Sequence, residues 1–161
     1  MRRLALLSLL ALVVAAPAFA LPGSDSDGTL SVKRGRGYVG LNFNGAALGK
    51  VAHGRVTISD PIDSDGPGPD FWGCNKKRDV SDTTTVCSGD DIRWRAIGGK
   101  YRIGVKGVGI YMSAVGHGTV VLDGRGDAND RPDGVYSFNG DPYQSLPDDA
   151  TTFTLAPQSS G

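Results

Sequence analysis

The chain has 161 residues with 17 basic and 17 acidic side chains, so its formal net charge is zero. Balanced charge with scattered basic residues gives no electrostatic basis for a nucleic-acid partner or an anionic membrane surface. Every acidic residue is Asp, and 24 residues are Gly. Because Asp and Gly favour turns whereas Glu favours helices, this composition predicts an all-β chain with almost no helix.

The first residues have the pattern of a secretory signal peptide. Arg2 and Arg3 precede an apolar run over 4–16, and small residues at Ala18 and Ala20 indicate cleavage after Ala20. The run is too short for a comfortable membrane span, so we expect no transmembrane anchor after cleavage. We therefore expect a secreted or extracytoplasmic protein. Loss of the two arginines would leave a net charge of about −2, from 15 basic and 17 acidic residues.

The remaining chain has the size of one domain. We expect a flexible leader over 21–28, a single β-domain over 29–157 and a disordered tail over 158–161. Apolar residues alternate with polar ones in 38–43, 55–59, 92–96 and 101–106, which is the period of half-buried strands. Glycines punctuate these runs about every eight to ten residues, so the pattern predicts short strands joined by tight turns. The expected fold is an antiparallel β-sandwich or small barrel.

An internal repeat appears when the chain is shifted by 64 residues. Residues 39–58 then align with 103–122 at six identical positions, and the apolar class is kept at five more. Each unit, about 39–72 and 103–136, reads as strand, turn, strand, His-Gly turn, strand, acidic loop and aromatic strand. Two copies suggest a pseudo-twofold pair of sheets. A short solenoid is the alternative, although solenoids usually need three repeats.

The two histidines occupy matching positions of the repeat. His53 and His117 each lie in the pattern Val-x-His-Gly-x-Val. A catalytic base is needed once, whereas a turn or packing residue is needed in each copy, so we expect both to be structural. A metal bridging the two histidines at the pseudo-symmetry axis is the alternative.

Cys74 and Cys87 are the only cysteines, and they enclose twelve residues. Outside the cytoplasm such a pair most simply forms a structural disulfide. Closing a loop of this size stabilises a fold by roughly 3 kcal/mol in the chain-entropy model. A reactive thiol or a metal site is the alternative, but no histidine lies nearby to complete a zinc set.

Two Asp-rich loops, 60–70 and 123–133, are the main candidate metal sites. Short oxygen ligands beside glycines suit Ca²⁺, and the candidate ligands are Asp63, Asp65, Asp127 and Asp130. The alternative is a pair of solvated turns, because Asp is a common turn residue. No other cofactor is expected, and no catalytic residue is assigned, since no nucleophile elbow is present.

Five aromatic residues offer a further hypothesis, a platform on which sugar rings stack. It requires several of Trp72, Trp94, Tyr101, Tyr111 and Tyr143 to be exposed together. Alternation places Trp94 and Tyr101 on the buried face, so core packing is their simpler role. Asn139-Gly140 predicts a tight hairpin turn.

The Gly-rich strands, the Trp72-Gly73-Cys74 step and the closing segment 133–147 resemble a family of small secreted β-proteins of high-GC soil bacteria that has no assigned function. The resemblance implies an exported single domain and no particular activity. We therefore expect a non-enzymatic extracellular or cell-envelope β-domain that acts as a binding or structural module, with a partner outside the cytoplasm. The alternatives are a Ca²⁺-stabilised binding domain and a secreted hydrolase.

Overall fold

The computed structural model describes residues 27–126 and 132–157, which form one antiparallel sheet of seven strands. This confirms the all-β prediction. The strands are β1 (Gly28–Ser59), β2 (Asp70–Trp72), β3 (Lys76–Ser81), β4 (Thr84–Gly124), β5 (Val135–Phe138), β6 (Gln144–Ser145) and β7 (Thr151–Leu155). The order is β2-β4-β1-β5-β6, with β3 and β7 also paired to β4. None of the described residues is helical, so none forms a helix that could cross a membrane.

The prediction of short strands joined by tight turns is wrong. β1 has 32 residues and β4 has 41, and both continue through the glycines that were expected to reverse the chain. The two predicted His-Gly turns, at His53 and His117, lie inside β1 and β4 respectively. A glycine allows a strand to bend without ending, and the sequence pattern of a bend is the same as that of a turn.

The two long strands coil around each other. Ile103 of β4 pairs with Ile58 of β1 on one side and with Leu41 of β1 on the other. These two partners are 17 residues apart in one continuous strand, yet they lie only two strand spacings from each other, roughly 10 Å. β1 therefore completes a full turn within those 17 residues. The antiparallel β1–β4 ribbon encloses the core as a closed coil.

Glycines occupy the bends of this coil in columns across neighbouring strands. Gly28 and Gly45 both pair with Gly116, while Gly37 and Gly54 both pair with Gly107. At Gly45, φ is 151°, and a Cβ would collide with the carbonyl oxygen of Val115. The strands bend here because only glycine allows the two backbones to approach so closely.

The internal repeat corresponds to a pseudo-twofold relation between β1 and β4. The 64-residue shift carries Val39 onto Ile103 and Ile58 onto Leu122, and Val39 pairs with Leu122 just as Ile58 pairs with Ile103. Exchanging the two segments therefore maps this ladder onto itself. The two copies pair with each other within one sheet, so the expected pseudo-twofold relation is present but a pair of separate sheets is not.

The core lies inside the coil and is apolar. Alternation along both strands puts every second side chain inward. Trp94 and Tyr101, which the sequence assigned to the core, are 2 % and 0 % exposed. The other large, fully buried side chains are Leu30, Ile58, Ile92, Ile110, Leu122 and Leu155.

The shorter strands extend the edges of the coil. The predicted turn at Asn139-Gly140 is present between β5 and β6: both residues have positive φ, and the amide of Asp141 donates to the carbonyl of Phe138 at 2.8 Å. The predicted disulfide is also present. Cys74, between β2 and β3, bonds to the buried Cys87 of β4, with Cα atoms 5.4 Å apart. The disulfide attaches the β2–β3 segment to the core.

Candidate functional site

A large hollow lies on the outer surface of the coil, across five neighbouring strand segments. Its volume is about 1010 Å³ and it is open to solvent. In strand order, Val32 pairs with Met112, Met112 with Gly49, Gly49 with Trp94, and Trp94 with Phe71 of β2. Four strand spacings amount to a width of roughly 19 Å. The site is a broad groove and not an enclosed pocket.

The side chains that point outward from these segments combine aromatic rings with cations. We call this surface the aromatic–cationic face, and it consists of Lys33, Lys50, Trp72, Arg93, Arg95 and Tyr111, which line the hollow, and the adjoining Tyr143. Trp72 is 49 % exposed, and Tyr111 is 37 % exposed. The exposed side chains of Leu48 and Ile97 add apolar surface between them.

Each exposed ring of the face has a cation against it. The Nζ of Lys50 lies 4.7 Å from the centre of the Tyr111 ring, and the guanidinium carbon of Arg95 lies 5.6 Å from that of Trp72. Contacts of this kind are worth about 0.5–1 kcal/mol at exposed sites and restrict the orientation of both groups. They place positive charge beside a flat apolar surface.

Tyr143 continues this arrangement at the far edge. Its ring lies 4.0 Å from the Nζ of Lys33, and its hydroxyl is 3.0 Å from the hydroxyl of Ser31. Hydrogen bonds from Lys33 and then Ser31 lower the pKa of the Tyr143 hydroxyl, because both stabilise the charged oxygen. Both Ser31 and Lys33 line the hollow.

Positive charge predominates on the face. Asp70 accepts a hydrogen bond from the Nε of Arg95 at 2.7 Å, and Asp91 lines the hollow beside Arg93. Among the described residues, the face thus has four cations and two nearby carboxylates, and Asp70 forms an ion pair with Arg95. An anionic ligand would find both charge and flat apolar surface on this face.

The first Asp-rich loop holds its two predicted ligands at the surface. Asp63 and Asp65 are exposed, and the Oδ2 of Asp65 accepts a hydrogen bond from the amide of Lys100 at 2.9 Å. Asp127 and Asp130 lie outside the described residues. No group of three metal-ligating side chains converges within 27–126 and 132–157.

A buried carboxylate at the base of this loop is the residue that the ligand assignment missed. Asp60 is 7 % exposed, and its Oδ1 accepts no hydrogen bond from the described residues. Burial, followed by the like charges of Asp65 and Asp63, raises its pKa. The alternation of inward and outward side chains along the strand predicts that Asp60 is buried, because Val56, Ile58 and Asp60 fall at every second position.

Both histidines contact an Asp side chain, Asp90 in β4 and Asp27 just before β1. The Nδ1 of His53 lies 2.6 Å from Asp90 Oδ1, and that of His117 lies 3.1 Å from Asp27 Oδ1. The hydrogen bond from His53 lowers the pKa of Asp90, because it stabilises the carboxylate. In the strand register, His117 of β4 lies opposite Asn44 of β1, and Asn44 is nine residues from His53 along β1. Since nine residues are about half a turn of the coil, one metal ion cannot bridge the two histidines.

Comparisons with protein-family models, with curated proteins and with solved structures find no match to this chain.

Proposed function

We propose that this protein is an exported binding module that holds an acidic polysaccharide on its aromatic–cationic face. The observation that carries the proposal is the set of exposed rings, each with a cation against it, on one open surface of the sheet. The predicted signal peptide supports export, and the disulfide is consistent with an oxidising compartment.

The chemistry of the face matches the two kinds of surface that an acidic sugar presents. The C–H face of a sugar ring is apolar and flat, so it stacks on Trp72 and Tyr111. Carboxylate or sulfate groups beside the ring would pair with Lys50, Arg93 and Lys33, whose charges are not cancelled by Asp70. A groove about 19 Å wide accommodates several consecutive sugar units.

Calorimetric titration with polygalacturonate, and with uncharged dextran in parallel, tests the proposal. We expect binding of polygalacturonate that weakens as salt is added, and no binding of dextran. Trp72→Ala should weaken binding at least fivefold, because the ring presents half its surface to the ligand. Val80→Ala is the matched control, since Val80 is 56 % exposed on β3, away from the hollow.

Polygalacturonate binding that is absent, or that is equal in the wild type and Trp72→Ala, would refute this function. Binding of single-stranded oligonucleotides in preference to polygalacturonate would also refute it, because a basic groove with stacking rings is the general feature of such sites.

A Ca²⁺-stabilised domain is the second candidate, and Asp60 favours it. A buried carboxylate oxygen without a hydrogen-bond donor is costly unless something positive meets it. The like charges of Asp65 and Asp63 raise its pKa, but the three carboxylates do not converge in the described structure, so a cation would have to draw the two exposed side chains toward Asp60. Backbone carbonyls of the loop could complete the coordination.

Thermal unfolding with and without millimolar Ca²⁺ tests this candidate. A cation that binds only the folded state must raise the unfolding temperature. We expect a rise in the wild type and none in Asp63→Ala/Asp65→Ala. The control is Asp148→Ala/Asp149→Ala, which removes two exposed acids elsewhere. An unfolding temperature that Ca²⁺ does not change in the wild type would exclude the site.

A further inference from the structure

A second hollow, of about 550 Å³, lies on the other side of the coil from the aromatic–cationic face. Gly40 lies at its floor, and Gly49 lies at the floor of the first hollow. These residues are nine apart in β1, about half of the 17-residue turn, so the two hollows face opposite directions. The second hollow lies where the pseudo-twofold relation pairs Gly40 with Gly104.

We call this hollow the glycine groove, because its floor lacks side chains at Gly40 and Gly104. The ring of Tyr38 leans over both, and its hydroxyl would be 2.7 Å from a Cβ at Gly40. Polar side chains and cations surround the floor: Asn42, Arg55, Thr57, Ser59, Arg102, Lys106 and Thr119. The Tyr38 ring therefore occupies the space that side chains at the two glycines would fill, and the walls carry hydroxyl, amide and cationic groups.

The cations of the glycine groove lie side by side. Arg55 is directly opposite Lys106 on the neighbouring strand, and like charges in that relation destabilise a sheet. Arg102 adds a third charge four residues away along β4. None of the described residues that line the groove is a carboxylate, and Asp123 lies one strand beyond Tyr38 in the same cross-strand row as Arg55 and Lys106. The Nε of Arg55 donates to the hydroxyl of Ser88 at 3.3 Å, which neutralises none of its charge, so an anion that binds beside Arg55 and Lys106 would relieve the like-charge contact.

The surroundings favour an acidic polysaccharide over a membrane or a nucleic acid. None of the large exposed hydrophobic residues lines the glycine groove, so nothing on this side would insert into lipid. Tyr38 is the only ring in the lining and is only partly exposed, which is a poor stacking surface for bases. Hydroxyl and amide groups between the cations match a ligand that carries both hydroxyl and anionic groups.

We propose that the glycine groove is a second site for acidic polysaccharide, so that one domain holds two anionic chains on opposite sides. The inference extends the proposed function to a separate surface. A module with two such sites crosslinks long chains, because each bound chain leaves the other site free to capture another.

An amide NMR titration with a short oligogalacturonate reads the two sites separately. The amides of Gly40 and Gly104 report the glycine groove, and the indole N–H of Trp72 reports the aromatic–cationic face. We expect both sets of signals to shift in the wild type. In Arg102→Ser/Lys106→Ser, the glycine shifts should fall at least fivefold while the Trp72 shift is unchanged. Lys76→Ser/Lys77→Ser, on the exposed β3, is the matched control.

The proposal predicts a second readout with long chains. Polygalacturonate mixed with wild-type protein at similar concentrations of binding sites should scatter light strongly. Arg102→Ser/Lys106→Ser should still bind polygalacturonate but should not increase the scattering. Glycine amides that do not shift, or that shift equally in this variant, would overturn the second site. So would shifts produced only by anionic phospholipid vesicles or single-stranded oligonucleotides. If only the aromatic–cationic face does not bind, the Trp72 signal alone stays unshifted while the glycine amides still shift. The two proposals can therefore be refuted separately.

Discussion

Arg95 and Trp72 lie on neighbouring strands, with the guanidinium carbon 5.6 Å from the centre of the ring. The Nε of Arg95 also donates to Asp70 at 2.7 Å. Asp70 and Trp72 are two residues apart in β2 and so point to the same side. β2 thereby presents a ring and a carboxylate to one cation, and this holds Arg95 against the edge of the groove.

Replacing Arg95 by Gln should loosen this edge and weaken ligand binding. The ion pair is half exposed, so we expect a loss of less than about 1 kcal/mol in the free energy of unfolding. We expect a threefold or greater loss of polygalacturonate affinity, because a cation beside the stacking ring is removed. Scanning calorimetry measures the change in stability, and titration calorimetry at two salt concentrations measures the change in affinity. Arg78→Gln, on β3, should leave affinity unchanged, and equal losses in the two variants would contradict the assigned role of Arg95.

The bends of the coil depend on glycine, and Gly45 is the sharpest test. Gly45→Ala puts a Cβ against the Val115 carbonyl at a φ of 151°. We expect more than about 2 kcal/mol of destabilisation from backbone strain and steric conflict together. Gly68→Ala is the matched control, because a Cβ there meets nothing within 4 Å. Chemical denaturation measures both, and a near-neutral Gly45→Ala would mean that the strands do not approach as described.

The disulfide should contribute a large share of the stability. Cys74→Ala/Cys87→Ala should lower the free energy of unfolding by roughly 3 kcal/mol, because it frees the β2–β3 segment in the unfolded chain. Reductant should lower the unfolding temperature of the wild type and have no effect on the double variant. A reductant effect that persists in the double variant would show that another process is being measured.

Asp60 predicts a specific pH dependence of stability. Its pKa in the folded protein is raised above the ordinary value of 3.8, so the folded state favours the protonated form. The stability contributed by that form is present below pH about 4 and is lost as the pH rises through the raised pKa. In EDTA, Asp60→Asn should therefore be more stable than the wild type at pH 7 and not at pH 3.

Calcium should reverse that order if the second candidate function is correct. The Asn side chain cannot replace the negative charge, so Ca²⁺ would stabilise the wild type and leave Asp60→Asn unchanged. Thermal unfolding at pH 7 measures this. A variant that is less stable than the wild type in EDTA would contradict the view that burial of Asp60, with no donor at Oδ1, outweighs the hydrogen bond from the Ile62 backbone.

Several features of the fold were predictable because they follow from local rules. Alternation placed Trp94 and Tyr101 in the core, and Asn139-Gly140 predicted its turn. The coil was not predictable in this way. Gly45 marks a bend within β1, but in the sequence a bend and a reversal look the same, because each needs only a residue without a side chain. The choice depends on which backbone lies opposite, here Gly116.

The candidate site was less predictable than the fold, since it is assembled across strands. Trp72, Tyr111 and Lys50 are far apart in the chain and lie on one surface only because the coil sets β1, β2 and β4 in a particular register. Alternation can state that a ring points outward, but it cannot state which cation from another strand will lie against it. Pairing across strands carries that information.

The proposed function rests most directly on Trp72, which is 49 % exposed, whereas Trp94, the other tryptophan, is 2 % exposed. Acrylamide quenching of tryptophan fluorescence therefore reports mainly on Trp72. Saturating polygalacturonate should protect this fluorescence in the wild type, and the same concentration of dextran should not. Polygalacturonate that binds while Trp72 stays fully open to acrylamide would contradict the assignment of the aromatic–cationic face as the binding site.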